Sequence, residues 1–397
     1  MALTPTSVTG GSLSMRDMVL LTSLQTTKGA INTSPVFEPV RRISGALTKK
    51  VNWSQSENLN QGYNPNDQIK GSSELTCAFE SATSKQAIRY IIEALYAAET
   101  TYSLTAATFA TLVNGFTVPA AAYAALSVGD GFWISGTTNP LNSGFYFVAS
   151  KSGGTTIVTT IAPAATEAAG ASVTLKSNRY TNANNAYYRT FQNAVTDLSA
   201  GGDNISRLTG YDGIPNSATL SIAEEGETKT SMEYMVEREV AGYAAIAGQT
   251  VTAMPTDATV SAVGGVLAFY VNGLLNTCTV KSMELSLALN QEGDNAAGCG
   301  MRYARGTPEF SGSVAVRTDK SNPFVWRNYS FDGTRVAIAA RISHGNGEES
   351  TIVVRRAVVT EAEPDVGSVI ANTEASYAAE LDQTIGHAVA VYTNWTV

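Results

Sequence analysis

Apolar and polar side chains alternate along nearly the whole of this chain, while a helical period appears as a strong signal once. Leu75, Cys77 and Phe79 alternate with polar residues in GSSELTCAFES. Met283, Leu285, Leu287 and Leu289 do so in KSMELSLALN, and Phe310, Gly312, Val314 and Val316 in EFSGSVAVRT. Period two is the pattern of a strand with one buried face. Similar runs recur in VFEPVRRIS, ALTKKVNWSQ, NAYYRTFQNAV, RVAIAARIS and STIVVRRAVVT, separated by Gly, Asn and Pro. These residues form turns for distinct backbone reasons, so the chain is expected to be mainly β. The exception is SKQAIRYIIEALYAAE. Its Ile88, Ile91, Ile92 and Leu95 fall at i, i+3, i+4 and i+7, one side of a helix, with Ser84 placed as N-cap.

Composition narrows the class. Of 397 residues only 15% are charged and the net charge is -8. A protein that grips nucleic acid carries a basic footprint, which this balance excludes. Nucleic acid that slides past without sticking is compatible with it, because like charges repel. Low charge also suits close packing of copies, since fewer ions need be desolvated. Cys77, Cys278 and Cys299 are odd in number and outside CxxC spacing, so free thiols in a reduced compartment are expected. MALTPTSVTGGSLSM has neither a basic nor an apolar signal region, and no secretory signal is expected. The longest apolar run, Phe109 to Leu126, is interrupted by Asn114, Gly115 and Pro119, too broken for a membrane span.

Catalytic chemistry finds little support. His344 and His387 have no partner at metal-ligand spacing. No phosphate-binding loop, nucleophile elbow or calcium loop occurs. The expectation is no enzyme, no cofactor and no metal. Glu233, Glu237 and Glu239 fall on one strand face with Met235. Paired carboxylates do acid–base work only within a cleft. Here the readings are an exposed charged sheet face or a functional polar lining.

Four regions separate along the chain. Residues 1–35 are Thr-, Ser- and Gly-rich, an extended arm ordered by a partner. Residues 36–100 and 179–250 read as one discontinuous module. Between them, residues 101–178 carry only Asp130, Lys151, Glu167 and Lys176 as charges and sum to zero. Their short strands, including GFWISG and GFYFVAS, predict an inserted small all-β domain. Residues 251–397 read as a second module. In 46–92 the order is strand, Asn/Gly loop, Gly-Ser strand, helix; in 278–330 it is strand, Asn/Gly loop, Gly-Ser strand, aromatic run. A duplicated module accounts for this order.

FEPVRRISG, IKGSSELTCAFESATSKQAIRYIIEALYAA, IPNSATLSIAEEGETKTSMEYMVE and TPEFSGSVAVRTD together resemble major tail tube proteins of long-tailed bacteriophages. The resemblance covers most of residues 36–360. It implies tail-tube-type β-sandwich modules, two per chain, with a flanking helix carrying Ile88, Ile91, Ile92 and Leu95, and an inserted β-domain on the outer surface. It implies a structural virion protein, made in the host cytoplasm, that stacks in trimeric pseudo-hexameric or hexameric rings. Glu233, Glu237 and Glu239 would then line the lumen through which DNA passes transiently. Leu13, Met15, Met18 and Leu20 would lie on an inter-ring arm. A tape measure protein and a tail terminator would be partners, with no membrane. The alternatives are a head decoration protein or adhesin, and a carbohydrate-binding β protein. The last would want clustered aromatic platforms, whereas Trp53, Trp133, Trp326 and Trp395 are scattered.

Overall fold

The computed structural model describes residues 18–55, 68–105, 109–170, 173–196, 205–241, 245–276, 280–296, 300–318, 325–365 and 372–396. Strands β1 (Met18–Gln25) and β2 (Val36–Pro39) precede the long strands β3 (Ser44–Gln55) and β4 (Gln68–Ala82), then helix α1 (Lys85–Ala94). A run of short elements follows: β5 (Ala98–Thr105), β6 (Ala110–Leu112), β7 (Gly115–Thr117), α2 (Ala120–Ala125), β8 (Gly131–Ser135), β9 (Gly144–Ser152), β10 (Thr156–Thr159) and β11 (Thr174–Thr181). Then come β12 (Tyr188–Thr196), β13 (Ile205–Ile222), β14 (Lys229–Glu239), β15 (Thr250–Val251), β16 (Val266–Val271), β17 (Leu274–Asn276) and β18 (Val280–Ala288). The chain closes with β19 (Glu292–Ala296), β20 (Gly300–Ala304), β21 (Glu309–Arg317), α3 (Val325–Asp332), β22 (Arg335–Ser343), β23 (Glu349–Asp365), β24 (Asn372–Ala379) and β25 (Val389–Thr393). The fold is mainly β, with α1 where the apolar stripe puts it and, among the described residues, two further short α-helices.

One long antiparallel sheet organises the molecule. Its strands run β3-β4-β14-β13-β18-β21-β24-β23 without a break. The first four and the last four have the same order and the same alternation of direction. A bulge falls between Pro215 and Ser217 opposite Tyr234 and Glu233, and another between Val359 and Glu361 opposite Tyr377 and Ser376. Cys77 opposes Leu47 and Tyr234, as Gly312 opposes Leu285 and Tyr377. With these registers aligned, TSMEYMVE matches TEASYAAE, with Thr230 and Thr373, Tyr234 and Tyr377, and Glu237 and Glu380 in equivalent places. α1 follows β4, and α3 follows β21.

The core lies on one face of this sheet. Ser84 caps α1 by accepting from the Ala87 amide at 3.4 Å. Ile88, Ile91, Ile92 and Leu95 are buried against the inward residues of the sheet, among them Cys77, Phe79, Met232, Tyr234, Leu285 and Leu287. A second layer closes the core from the far side. It pairs β12 with β1, β1 with β2, and β2 with β15 next to the first strand set. Next to the second set it pairs β16 with β22, β22 with β23, β23 with β25, and β25 with β11. β13 and β23 belong to both layers: their first halves pair in the second layer and their second halves in the long sheet.

The neutral segment leaves the chain at β5 and returns at β11, which pair from Ala98–Thr181 to Thr105–Thr174. It has its own core of Phe109, Phe116, Phe132, Ile134, Tyr146, Ile157 and Leu175. The opposite faces of β8 and β9 pack Trp133, Phe145 and Phe147 onto Tyr270, Ala339, Val353, Ala390 and Tyr392. The layers are thus the free face of the long sheet, the core, the second layer and then the insertion. Within residues 1–35, Met18–Gln25 is a strand paired along its length with β12, so Met18 and the buried Leu20 belong to the protomer's own sheet. Leu13 and Met15 lie outside the described residues.

Candidate functional site

The face of the long sheet away from the core is made of small polar side chains. One cross-strand row reads Ser44, Glu80, Ser231, Thr219, Ser286, Ser311, Ala378. The next reads Ala46, Ala78, Glu233, Ser217, Ala288, Glu309. A third reads Ala82, Lys229, Ser221, Glu284, Ser313, Ser376, Glu361. Strict alternation puts Ser, Thr, Ala and Glu here and the apolar residues on the other face. Gly312 sits where a Cβ would meet the Glu284 carbonyl at 2.0 Å, which keeps adjacent strands close.

Glu233, Glu237 and Glu239 project on this face, opposite Met232, Tyr234 and Val236 in the core. They are not three free charges. Glu233 accepts from Asn216 at 3.0 Å and from Ser217 at 3.3 Å. The Glu237 carboxylate is almost fully covered; it pairs with Lys28 at 2.6 Å and accepts the Tyr303 amide at 3.1 Å. Glu239 pairs with Lys49. The open negative charge falls on acids that sequence reasoning passed over: Glu284, Glu309, Glu361 and Glu374 are exposed and form no ion pair among the described residues. Their signal was present, since each takes a polar position in a period-two strand. On the same face Lys229 is held by Glu80 at 2.7 Å.

The strongest charge cluster lies elsewhere and is saturated. Arg189 meets both oxygens of Glu93 at 2.6 Å and Thr22 at 3.0 Å, while Arg89 meets Glu38 at 2.9 Å. Burial lowers the Arg189 pKa, and the Glu93 carboxylate more than reverses this, holding it well above its ordinary value. Cys77 is buried, and burial pushes its thiol pKa up; Cys278 and Cys299 lie outside the described residues. Among the described residues no group of three His, Cys, Asp or Glu could hold a metal ion, and no helix is long and apolar enough to cross a membrane.

The two histidines are buried. His344 Nε2 lies 2.8 Å from Ser350 Oγ, and His387 Nδ1 lies 3.0 Å from the Ile385 carbonyl. Burial first, and then Lys85 for His344 and Arg355 for His387, lower both pKa values from 6.5 to about 4. Above pH 6.5 both are neutral in folded and unfolded chains and stability is complete. As pH falls from there toward 4 the unfolded chain binds protons that the native fold does not. Each histidine then costs up to roughly 3 kcal/mol. Denaturation midpoints should fall between pH 7 and 5, and H344Q/H387Q should flatten that slope; an unchanged slope refutes the assignment.

A family model for phage tail tube proteins matches residues 15–385. No curated protein matches the chain.

Proposed function

Because the chain belongs to the family of phage tail tube proteins, we propose that it is a structural virion protein whose copies join edge to edge into rings, stack into the tail tube, and turn the polar face of the long sheet toward the DNA. The observation that carries this reading is that face itself: eight strands wide, rich in Ser, Thr and Ala, with the exposed acids Glu284, Glu309, Glu361 and Glu374 outnumbering the exposed bases Lys50 and Arg317 that form no ion pair among the described residues. Such a surface repels phosphates and offers no grip to bases. Helix and insertion lie on the other side, so nothing bulky obstructs the lining.

The two strand sets of one order and one bulge position support a duplicated module, and with it rings of three chains in pseudo-sixfold arrangement. Glu233 belongs to the lining together with Glu284, Glu309 and Glu374; Glu237 and Glu239 are placed to hold Lys28 and Lys49. A tape measure protein inside the tube and a terminator at its end are the partners the family implies. The inter-ring arm falls to residues before Met18, including Leu13 and Met15.

Negative-stain microscopy of concentrated protein tests the assembly: rings or tubes with a central hole of about DNA width support it, and a monomer at every concentration refutes it. The lining has its own test. E284K/E309K/E374K places cations along the DNA path. Tubes should still form, while DNA delivery by phage carrying the variant should fall about a hundredfold. Normal delivery overturns the lining assignment.

A further inference from the structure

Two strands end the long sheet. No strand pairs with β3 on the side away from β4, or with β23 beyond Val358 on the side away from β24, among the described residues. An exposed edge is a template for another chain, and these two edges differ in charge. β3 carries Lys49 and Lys50, both exposed, whereas the end of β23 carries Glu361, Glu363 and Asp365.

The missing junction has a counterpart within the chain. By the alignment of the two strand sets, β3 stands in the place of β18 and β23 in the place of β13, and β13 pairs with β18. That junction puts Ser217 opposite Ala288, Ala218 opposite Leu287 and Leu220 opposite Leu285. Carried to the edges, it puts Glu361 opposite Lys50, Ala362 opposite Lys49 and Pro364 opposite Leu47.

A backbone observation supports this register independently. The Leu289 amide donates to the Asn216 carbonyl at 2.9 Å, so the odd-numbered residues of β18 aim their backbone groups at β13. Their counterparts in β3 are Leu47, Lys49 and Val51. Among the described residues Leu47 alone of these is already engaged: its carbonyl accepts from Asn193 Nδ2 at 2.7 Å and its amide donates to Asn193 Oδ1 at 3.2 Å. The register sets against it the one residue of β23 that has no N–H to give, Pro364. A slip of one residue would turn the lining face into the core. A slip of two would set Pro364 against Lys49, where no side chain replaces the lost bond.

We propose that β23 of one copy pairs antiparallel with β3 of the next in the register of the β13–β18 junction, and that the Glu361–Lys50 pair across the joint selects that register. This rests on the reading of the chain as a ring-forming tube subunit. Within the chain the junction is neutral and small, Ser217 against Ala288, because covalent connection already brings those strands together. Between chains only the side chains distinguish one alignment from another. Lys50 then lies between Glu361 and Glu74, its directly opposed neighbour on β4, an alternation of sign across three strands that favours pairing.

Charge exchange and cross-linking test this. E361K and K50E each place like charges across the joint, and each should raise the concentration at which tubes appear about tenfold. The double variant K50E/E361K should restore assembly to near the unaltered level. Both sites are exposed; the thermal melt of unassembled E361K should not move, because Glu361 faces Ser376, while K50E, now opposite Glu74 within the chain, should melt slightly lower with or without E361K. In assembled tubes K50C/E361C should cross-link neighbouring chains on non-reducing gels, while K50C/E363C should not. If the unaltered protein forms tubes but the exchange fails to restore assembly, or K50C/E363C cross-links instead, the register is overturned and the tube reading stands. If the unaltered protein forms neither rings nor tubes, both fall together.

Discussion

Replacing Glu93 with Ala should lower the stability of the protomer by about 3–5 kcal/mol, read as a drop in denaturation midpoint. Arg189 is 2% exposed and lies where β12, β1 and α1 meet. Its guanidinium spends Nε and one Nη on Glu93 and the other on Thr22, over the face of Tyr90 at 4.7 Å. Glu38, at 3.4 Å, is only a marginal second anion. Without Glu93 a charge that cannot lose its proton stays buried with its bidentate partner gone. The large effect measures that orphaned charge rather than the worth of the pair. E93L/R189M should therefore be markedly more stable than E93A, since it removes both ions. If E93A unfolds at the midpoint of the unaltered protein, Arg189 has another route to water.

Deleting residues 102–178 should send the protein to the pellet. The family resemblance implies that this segment is an inserted β-domain on the outer surface. It lies beyond the second layer, and its attachment there is deep. Trp133, Phe145 and Phe147 cover Tyr270, Ala339, Val353, Ala390 and Tyr392, with Phe147 5.3 Å from Tyr270 between ring centres. Trp133 Nε1 donates to Glu349 at 2.8 Å. Asp130 is buried between Arg179, at 2.6 Å, and Arg355, at 3.2 Å. Burial lowers the Arg355 pKa to about 10 against the pull of Asp130, so the insertion covers this cation closely. The cut also falls within β11 and removes Asn178, which pairs with Thr393 of β25 and donates to the Trp395 carbonyl at 2.7 Å. An exposed apolar sheet face of this kind aggregates. A soluble deletion variant that forms tubes of smaller outer diameter would show the insertion to be dispensable after all.

How far the sequence speaks depends on how local the cause is. Period two located the long strands because one face of each meets the core and the other meets solvent. Ile88 to Leu95 located α1 for the same reason. α3 escaped because VWRNYSFD buries only Trp326 and so leaves no stripe. β1 escaped because MVLLTSLQ is covered on both sides for much of its length and does not alternate. GFWIS and GFYFV did carry a legible warning. Strands apolar on successive residues are covered on both faces, and these two face the insertion's own core and the second layer at once. On the polar face, that Glu233, Glu237 and Glu239 share one side of their strand was legible from period two. That Lys28 and Tyr303 cover Glu237 was not, because both partners come from distant parts of the chain.

The pairing of Ala98 with Thr181 bears on how the chain reaches its native state. Strands β4 and β14 are far apart in sequence, and joining them closes a long loop at an entropic cost that rises with its length. The insertion lies within that loop and most of its own strand pairs are local. Once folded, it holds its two ends together, and the span that β4 and β14 must close shrinks to the few elements outside it. The neutral insertion is therefore placed to act as a clasp during folding, so that the non-local long sheet would close around a part with local strand pairs of its own.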